Sequence, residues 1–170
     1  SGEGYRRIQA DMMDWIPPRD IVDKVAFVAA FPPCDHLAVS GSRWMAGKGL
    51  KALAHSVSLF ERAAFWCEWF GVPYIIENPV STISTYWRKP DYKFHPCHYA
   101  GHAGEDDYTK ETWLWTGGGF MMPAPDMPLF VEPDTTRIHH QPPGPDRANI
   151  RSATPLGFAR AVYEANKTLI

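Results

Sequence analysis

The sequence predicts an α/β fold in which two short parallel strands flank a long helix. Residues 25–30 and 74–76 are apolar runs, each of the length of a buried strand. Between them, apolar side chains recur at helical spacing over residues 50–70, and Gly71 follows as a helix stop. Because a strand–helix–strand unit of this length joins parallel neighbours, we expect the two runs to lie side by side in one sheet.

The remaining elements are less regular, because sixteen prolines and thirteen glycines imply many turns and ordered loops. Thr154 is the predicted N-cap of the last helix, with Pro155 at its first position. In chain order we expect a strand at 6–10, a Gly- and Ser-rich loop at 36–49, a short helix at 80–87, loops at 88–111, a strand at 112–116 ended by three glycines, a Pro-rich extended segment at 121–145 and a helix to about residue 166.

Length and composition limit the class of protein. With 170 residues, of which 45% are hydrophobic and 21% charged, the chain suits a single globular domain spanning residues 1–170. A formal net charge of −2 argues against strong nonspecific binding to nucleic acid but allows a local basic groove. Three cysteines cannot all pair, and neither a secretory signal nor a membrane-length apolar run is visible. We therefore expect a cytoplasmic protein without a membrane partner.

A thiol and a carboxyl group follow the two predicted strands. Cys34 comes after the first strand and two prolines, and Glu77 ends the second strand. Because the carboxyl ends of parallel strands meet at one edge of a sheet, both side chains should face one crevice. A thiol can add to an electron-poor ring carbon while an acid protonates a ring nitrogen. The alternatives are a buried structural cysteine and a carboxylate that caps a neighbouring loop.

Further strings occur in a fixed order over roughly residues 8 to 165. They are Phe31-Pro32-Pro33-Cys34-Asp35-His36-Leu37-Ala38-Val39-Ser40-Gly41, Ile76-Glu77-Asn78-Pro79-Val80-Ser81, Arg88-Lys89-Pro90-Asp91, Thr112-Trp113-Leu114-Trp115 and Asn149-Ile150-Arg151-Ser152-Ala153-Thr154-Pro155. This ordered set resembles the DNA cytosine-5 methyltransferases, and more closely the small phage and prophage proteins of that type. The resemblance implies a Rossmann-like fold with a parallel-rich sheet, and methyl transfer from S-adenosylmethionine to C5 of cytosine, in the host cytoplasm if the protein is phage-encoded.

The resemblance also implies roles for individual residues. Cys34 would attack C6 of cytosine, and Glu77 would hold the protonated N3. The cofactor would lie near Asp11, Phe31 and Pro32. The substrate, DNA or a cytosine nucleotide, would be contacted by Pro33, Ser40, Arg43, Asn78 and Lys110, with Arg88 and Lys89 as further phosphate contacts.

Three features depart from that family. No Gly-rich turn follows an early strand, so we expect the fold to lack its N-terminal part. A preceding segment or a partner chain would then complete the cofactor site, unless the site is lost. Only residues 117–151 stand where the larger enzymes have a long target-recognition region, and Asp35 follows Cys34 where they usually have Gln. Two other functions therefore stay open: a non-catalytic binding or assembly module, and an enzyme that modifies free pyrimidine nucleotides.

A cluster of three imidazoles and a thiol is the rival candidate site. His95, Cys97, His98 and His102 lie within eight residues, and these side chains are typical zinc ligands. Their spacing is tight for one tetrahedral site, and no Cys-x-x-Cys pair accompanies them. We therefore expect an aromatic-rich loop here rather than a metal site.

Overall fold

The structure, a computed structural model, describes residues 4–40, 45–130, 132–138, 144 and 151–169. Two 3₁₀ turns, Pro96–Tyr99 and Gly104–Asp106, separate the third strand from the fourth. The helices and strands are α1 (Arg19–Val22), β1 (Val28–Ala30), α2 (Met45–Phe70), β2 (Tyr74–Pro79), α3 (Ile83–Tyr86), β3 (Tyr92–Phe94), β4 (Thr112–Gly117) and α4 (Leu156–Asn166).

The four described strands form one mixed sheet in the order β1-β2-β4-β3. β1 and β2 are parallel, with Val28 opposite Tyr74 and Ala30 opposite Ile76, which confirms the predicted α/β unit. β4 lies antiparallel to both β2 and β3. The expected parallel-rich sheet is thus corrected to a mixed one, because β3 and β4 are joined without the crossover helix that parallel neighbours require.

α2 covers one face of the sheet. Gly49, with φ of 80°, interrupts the helix, so the uninterrupted segment begins at the predicted residue 50. Phe60 and Cys67 are buried against β2, as the helical spacing predicts, whereas Leu50 remains 83% exposed. The helix ends at Phe70, and Gly71 follows it with a φ of 64°, the left-handed conformation typical of a residue after a helix.

α4 covers the opposite face. Successive side chains of a strand alternate between the two faces, so Ile76 packs under α2 while Ile75 faces α4. Phe158 of α4 stacks on Phe94 of β3 with ring centroids 4.0 Å apart. The domain therefore has one apolar core on each side of its sheet.

The start of α4 differs from its prediction. Thr154 is not the N-cap, because the helix begins at Leu156 and Pro155 in extended conformation precedes it. Pro155 is itself non-helical, with φ of −59° and ψ of 129°, and takes the N-cap position in place of Thr154. Instead, the Gly157 amide donates a 2.6 Å hydrogen bond to Oδ2 of Asp106, 51 residues earlier. A distant carboxylate thus replaces the local cap.

Other elements agree with the sequence only in part. The short helix α3 and the strand β4 lie where they were predicted. Residues 6–10 form no strand and remain exposed, and Arg6 instead makes a 2.7 Å ion pair with Asp20. β3 falls in a segment predicted to be loop, because its three residues are too few to show an alternating pattern.

Replacing Gly157 with alanine should destabilise the fold by about 1–3 kcal/mol, the usual cost of overpacking a tight contact. A Cβ atom at this position would lie 2.3 Å from the carbonyl oxygen of Tyr99, which is backbone and cannot turn away. Urea unfolding of the variant measures the effect. Gly104→Ala is the matched control, because a Cβ there meets nothing within 4 Å. Equal unfolding midpoints for the two variants would contradict the close approach of α4.

Candidate functional site

Cys34 and Glu77 lie at the same edge of the sheet. β1 ends at Ala30, opposite Ile76, so Glu77 is one residue beyond the last pair of the two parallel strands. The carbonyl oxygen of Cys34 accepts hydrogen bonds from the amides of Leu37 at 3.0 Å and Ala38 at 2.9 Å. This tight turn fixes the partly buried thiol just beyond the end of β1.

A buried hydrogen bond joins the two strand ends. Nδ2 of Asn78 donates to the carbonyl oxygen of Pro32 at 3.0 Å, and Asn78 is only 1% exposed. Further along, the amide of Val39 donates to the carbonyl of Val80 at 2.9 Å. The backbone on both sides of Cys34 is therefore held against the segment that carries Glu77.

The Glu77 carboxyl is in a strongly desolvating position. Burial raises the pKa of Glu77, and the positive charge of Lys110 opposes that rise. Its Oε1 atom is buried and has no hydrogen-bond partner among the described residues. A buried carboxyl without a partner favours its protonated form, which can donate a proton to a ligand.

The Cys34 thiol is not activated in this arrangement. Burial raises the pKa of Cys34, and the negative charges of Asp35 and Glu77 raise it further, while Lys110 acts in the opposite direction. The protonated thiol is thus the favoured form. The thiolate is less strongly disfavoured when Glu77 is neutral, because the repulsion from the carboxylate is then absent. Cys34, Glu77 and Lys110 are thus close enough to interact electrostatically.

The other predicted site residues divide into three groups. Pro32 is buried, whereas Phe31, Pro33 and Ser40 are exposed along the same loop. Arg43 lies outside the described residues. Asp11, predicted near the cofactor, makes a local turn in which its Oδ1 accepts a 2.9 Å hydrogen bond from the Met13 amide.

Two residues near the site were not predicted. Burial raises the pKa of Tyr108, and the charges of Asp106 and Glu77 raise it further, so Tyr108 lies near the candidate acid. The Arg137 guanidinium covers its ring at 4.6 Å. Nδ1 of His36, two residues after Cys34, is buried without a hydrogen-bond partner among the described residues. No periodic pattern marks either position, since both lie in irregular segments.

An apolar groove of about 250 Å³ lies between β1 and α4. Phe31 contributes to it, as does Ile75, the partner of Ala29 in the parallel pair. None of the lining residues is charged, and the Asn166 side chain is occupied by hydrogen bonds to the backbone of Met121. The lining comprises Phe27, Ala29, Phe31, Ile75, Thr154, Phe158, Ala159, Val162, Tyr163 and Asn166.

The histidine-rich turn shows another arrangement. The His95 amide donates to Nδ1 of His98 at 3.4 Å, and Cys97, within the same turn, is buried. His102 lies 3.8 Å from a carboxylate oxygen of Asp126. Within the described ranges, no group of three or more His, Cys, Asp or Glu side chains is placed to hold a metal ion.

Comparison with protein-family models, with curated proteins and with solved structures gives no match. In the part of the chain that the structure describes, no helix combines the length and the apolar character needed to cross a membrane. Function is therefore inferred from the geometry of the site and from the sequence resemblance.

Proposed function

We propose that this protein is a DNA cytosine-5 methyltransferase-like enzyme that attacks cytosine through Cys34. The observation that carries the proposal is the position of Cys34 and Glu77 just beyond the last pair of β1 and β2, with Lys110 two residues before Thr112, the partner of Pro79. A thiol and a buried, proton-bearing carboxyl are the two groups that nucleophilic addition to a pyrimidine requires.

The proposed reaction begins with loss of the thiol proton to solvent. The Cys34 sulfur forms a bond to C6 of cytosine, and the electrons of the C5–C6 double bond move through C4 to N3. Glu77 gives its proton to N3 and becomes a carboxylate, beside which Lys110 supplies a compensating charge. The adduct has a nucleophilic C5, which is the atom that would be modified.

S-adenosylmethionine would supply the methyl group for C5, and the groove beside β1 is the described surface that best suits part of it. The Phe31 ring, which is 49% exposed, suits an adenine face. No charged side chain lines the groove to meet the ammonium and carboxylate ends of the cofactor, and Asp11 is not among its lining residues. The described residues therefore account for the adduct but not for methyl transfer.

This mismatch favours one alternative function. A cytosine-binding module without a cofactor of its own would retain the Cys34–Glu77 crevice and need no charged groove. In the methyltransferase proposal, a preceding segment or a partner chain would supply the missing contacts. The third possibility, an enzyme that modifies free pyrimidine nucleotides, differs from the methyltransferase and from the binding module in its substrate.

Exchange of the hydrogen at C5 tests the adduct without any cofactor. Once the Cys34–C6 bond has formed, C5 takes a proton from water, and reversal can release the original hydrogen. We expect the wild-type protein to remove deuterium from 5-deuterated cytosine, as measured by mass spectrometry. Exchange in an oligonucleotide supports the DNA enzyme, and exchange only in dCMP selects the nucleotide enzyme. Calorimetric binding of cytosine without any exchange would contradict the adduct and favour the binding module.

A further inference from the structure

Aromatic rings and cations share an open surface of the sheet beside the candidate site. We propose that this surface, formed by Trp87, Arg88, Lys93 and Trp113 and called the aromatic platform, binds an unpaired strand of nucleic acid. The inference rests on the proposed function, because it names single-stranded nucleic acid as the substrate class of that site. It draws on side chains that the cytosine chemistry does not use.

The register of the sheet places the platform next to the site. Lys93 of β3 lies opposite Trp113 of β4, and Trp113 lies opposite Asn78 of β2. Paired residues share one face of a sheet, so these side chains project to the face that also carries α2. α2 packs against β1 and β2, and the side chain of Lys93 remains 57% exposed. The platform thus continues outward from the hydrogen bond between Asn78 and the backbone before Cys34.

The rings of the platform rest on a rigid base. Trp115 is fully buried, and its Nε1 donates to the carbonyl of Arg88 at 2.8 Å. Trp87 stacks on Trp115 with centroids 6.5 Å apart, and Trp113 meets the same ring edge-on at 6.2 Å. Trp87 nevertheless remains 42% exposed. Rings that are already ordered lose little freedom when a base stacks on them.

Each of the two outer rings is accompanied by a cation. The Arg88 guanidinium lies 4.6 Å from the centre of the Trp87 ring and is anchored by Asp91 at 2.6 Å. The Lys93 ammonium lies 4.7 Å above Trp113, and its ion-pair partner, Glu111, is as much as 4.0 Å away. Lys93 can therefore move from the ring to a phosphate, and the flat guanidinium itself offers a stacking surface.

This combination selects unpaired strands rather than duplex. Tryptophan rings bind the faces of bases, and those faces are hidden inside a duplex but available in a single strand. Nearby cations meet the phosphates of the same strand. With a net charge of −2, the chain as a whole does not attract nucleic acid, so binding depends on local surfaces of this kind.

Fluorescence anisotropy with a labelled oligonucleotide of about 15 nucleotides tests the platform. The probes are a cytosine-containing DNA single strand, the same sequence as duplex, and its RNA counterpart. We expect the DNA single strand to bind at least about tenfold more tightly than the duplex. Trp113→Leu keeps an apolar side chain at a position that contacts the core and should weaken binding about tenfold, the usual loss for one stacked base. The RNA arm shows whether the platform discriminates between the two sugars.

Lys93→Gln should reduce the slope of log affinity against log salt by about 0.7 for each phosphate that the variant no longer binds. Two controls match these changes: Lys24→Gln at an exposed turn before β1, and Trp69→Leu, which removes a half-exposed ring from the end of α2. Both controls should bind as the wild type does.

Three outcomes would overturn the platform: no binding of single strands, an equal or greater affinity for duplex, or Trp113→Leu and Lys93→Gln binding like their controls. Anisotropy detects binding without chemistry, so the platform and the adduct can fail separately. Single-strand binding without C5 exchange sustains the platform and contradicts the adduct. Exchange on dCMP without single-strand binding does the reverse.

Discussion

Cys34→Ala should lower the exchange of the cytosine C5 hydrogen to the uncatalysed rate. No sulfur then remains to form the bond to C6, and without that bond C5 does not become nucleophilic. Because Cys34 is only partly buried in a turn held by its own carbonyl oxygen, the substitution should leave the fold intact. Mass spectrometry of deuterated substrate gives the rate, and thermal unfolding reports on the fold.

Cys67→Ala is the matched control for loss of a thiol. Cys67 lies on the buried face of α2, and burial raises its pKa to about 12, so it does not supply a thiolate at neutral pH. Exchange should persist in this variant once allowance is made for the fraction folded. If Cys34→Ala exchanged as fast as the wild type, the thiol would be structural and the proposed adduct would be wrong.

Glu77→Gln should slow the same exchange by about 10²- to 10⁴-fold while making the fold more stable than the wild type above the ordinary pKa of a glutamate. Loss of the proton donor to N3 accounts for the rate, since this is the range typical of general acid catalysis. The stability change follows from burial, which raises the pKa of Glu77 above the 4.5 of an exposed glutamate. Functional sites often keep a buried ionisable group of this kind, although its charged form destabilises the fold.

The sign of the pH effect is fixed by the direction of that shift. A group whose pKa is raised in the folded state contributes stability below its unfolded pKa and loses it as pH rises through the folded pKa. The wild type should therefore lose stability relative to Glu77→Gln as the pH rises above 4.5, the ordinary pKa of a glutamate, by about 1.4 kcal/mol for every tenfold change in the acid dissociation constant. Urea unfolding at a series of pH values below and above 4.5 measures the difference.

Glu61→Gln makes the same chemical change at an exposed position on α2. Its unfolding free energy should follow the pH dependence of the wild type. A Glu77→Gln variant that did the same would show that the Glu77 carboxyl is not desolvated in the folded protein, and the proposed proton donor would lose its physical basis.

The central elements of the fold could be predicted because their signals are local. The helical spacing of residues 50–70 and the apolar runs on either side define β1, α2 and β2 and their parallel pairing. That pairing alone brings Cys34 and Glu77 to one edge, so this part of the candidate site follows from strand order. Lys110 joins them because β4 begins beside the end of β2, with Thr112 opposite Pro79.

The remaining features depend on contacts between distant residues and leave little trace in the sequence. β3 is a strand only because β4 provides its hydrogen-bond partners. Tyr108 comes near Glu77 through an irregular segment that has no period to recognise. The Gly157 cap is supplied by Asp106, whereas the local pattern pointed to Thr154. In each case a long-range contact overrides the local preference.

The bond between Asp106 and Gly157 also bears on how the chain reaches its folded state. A helix as short as α4 is marginal in isolation and depends on partners supplied by the rest of the domain. Its cap, the Tyr99 carbonyl packed against it and the Phe94 ring beneath Phe158 all belong to segments that precede it by more than forty residues. Closing so long a loop costs entropy before those contacts repay it. We therefore expect the unit of β1, α2 and β2 to form early and α4 to dock late, so that a newly made chain exposes the apolar sheet face around Ile75 until α4 covers it.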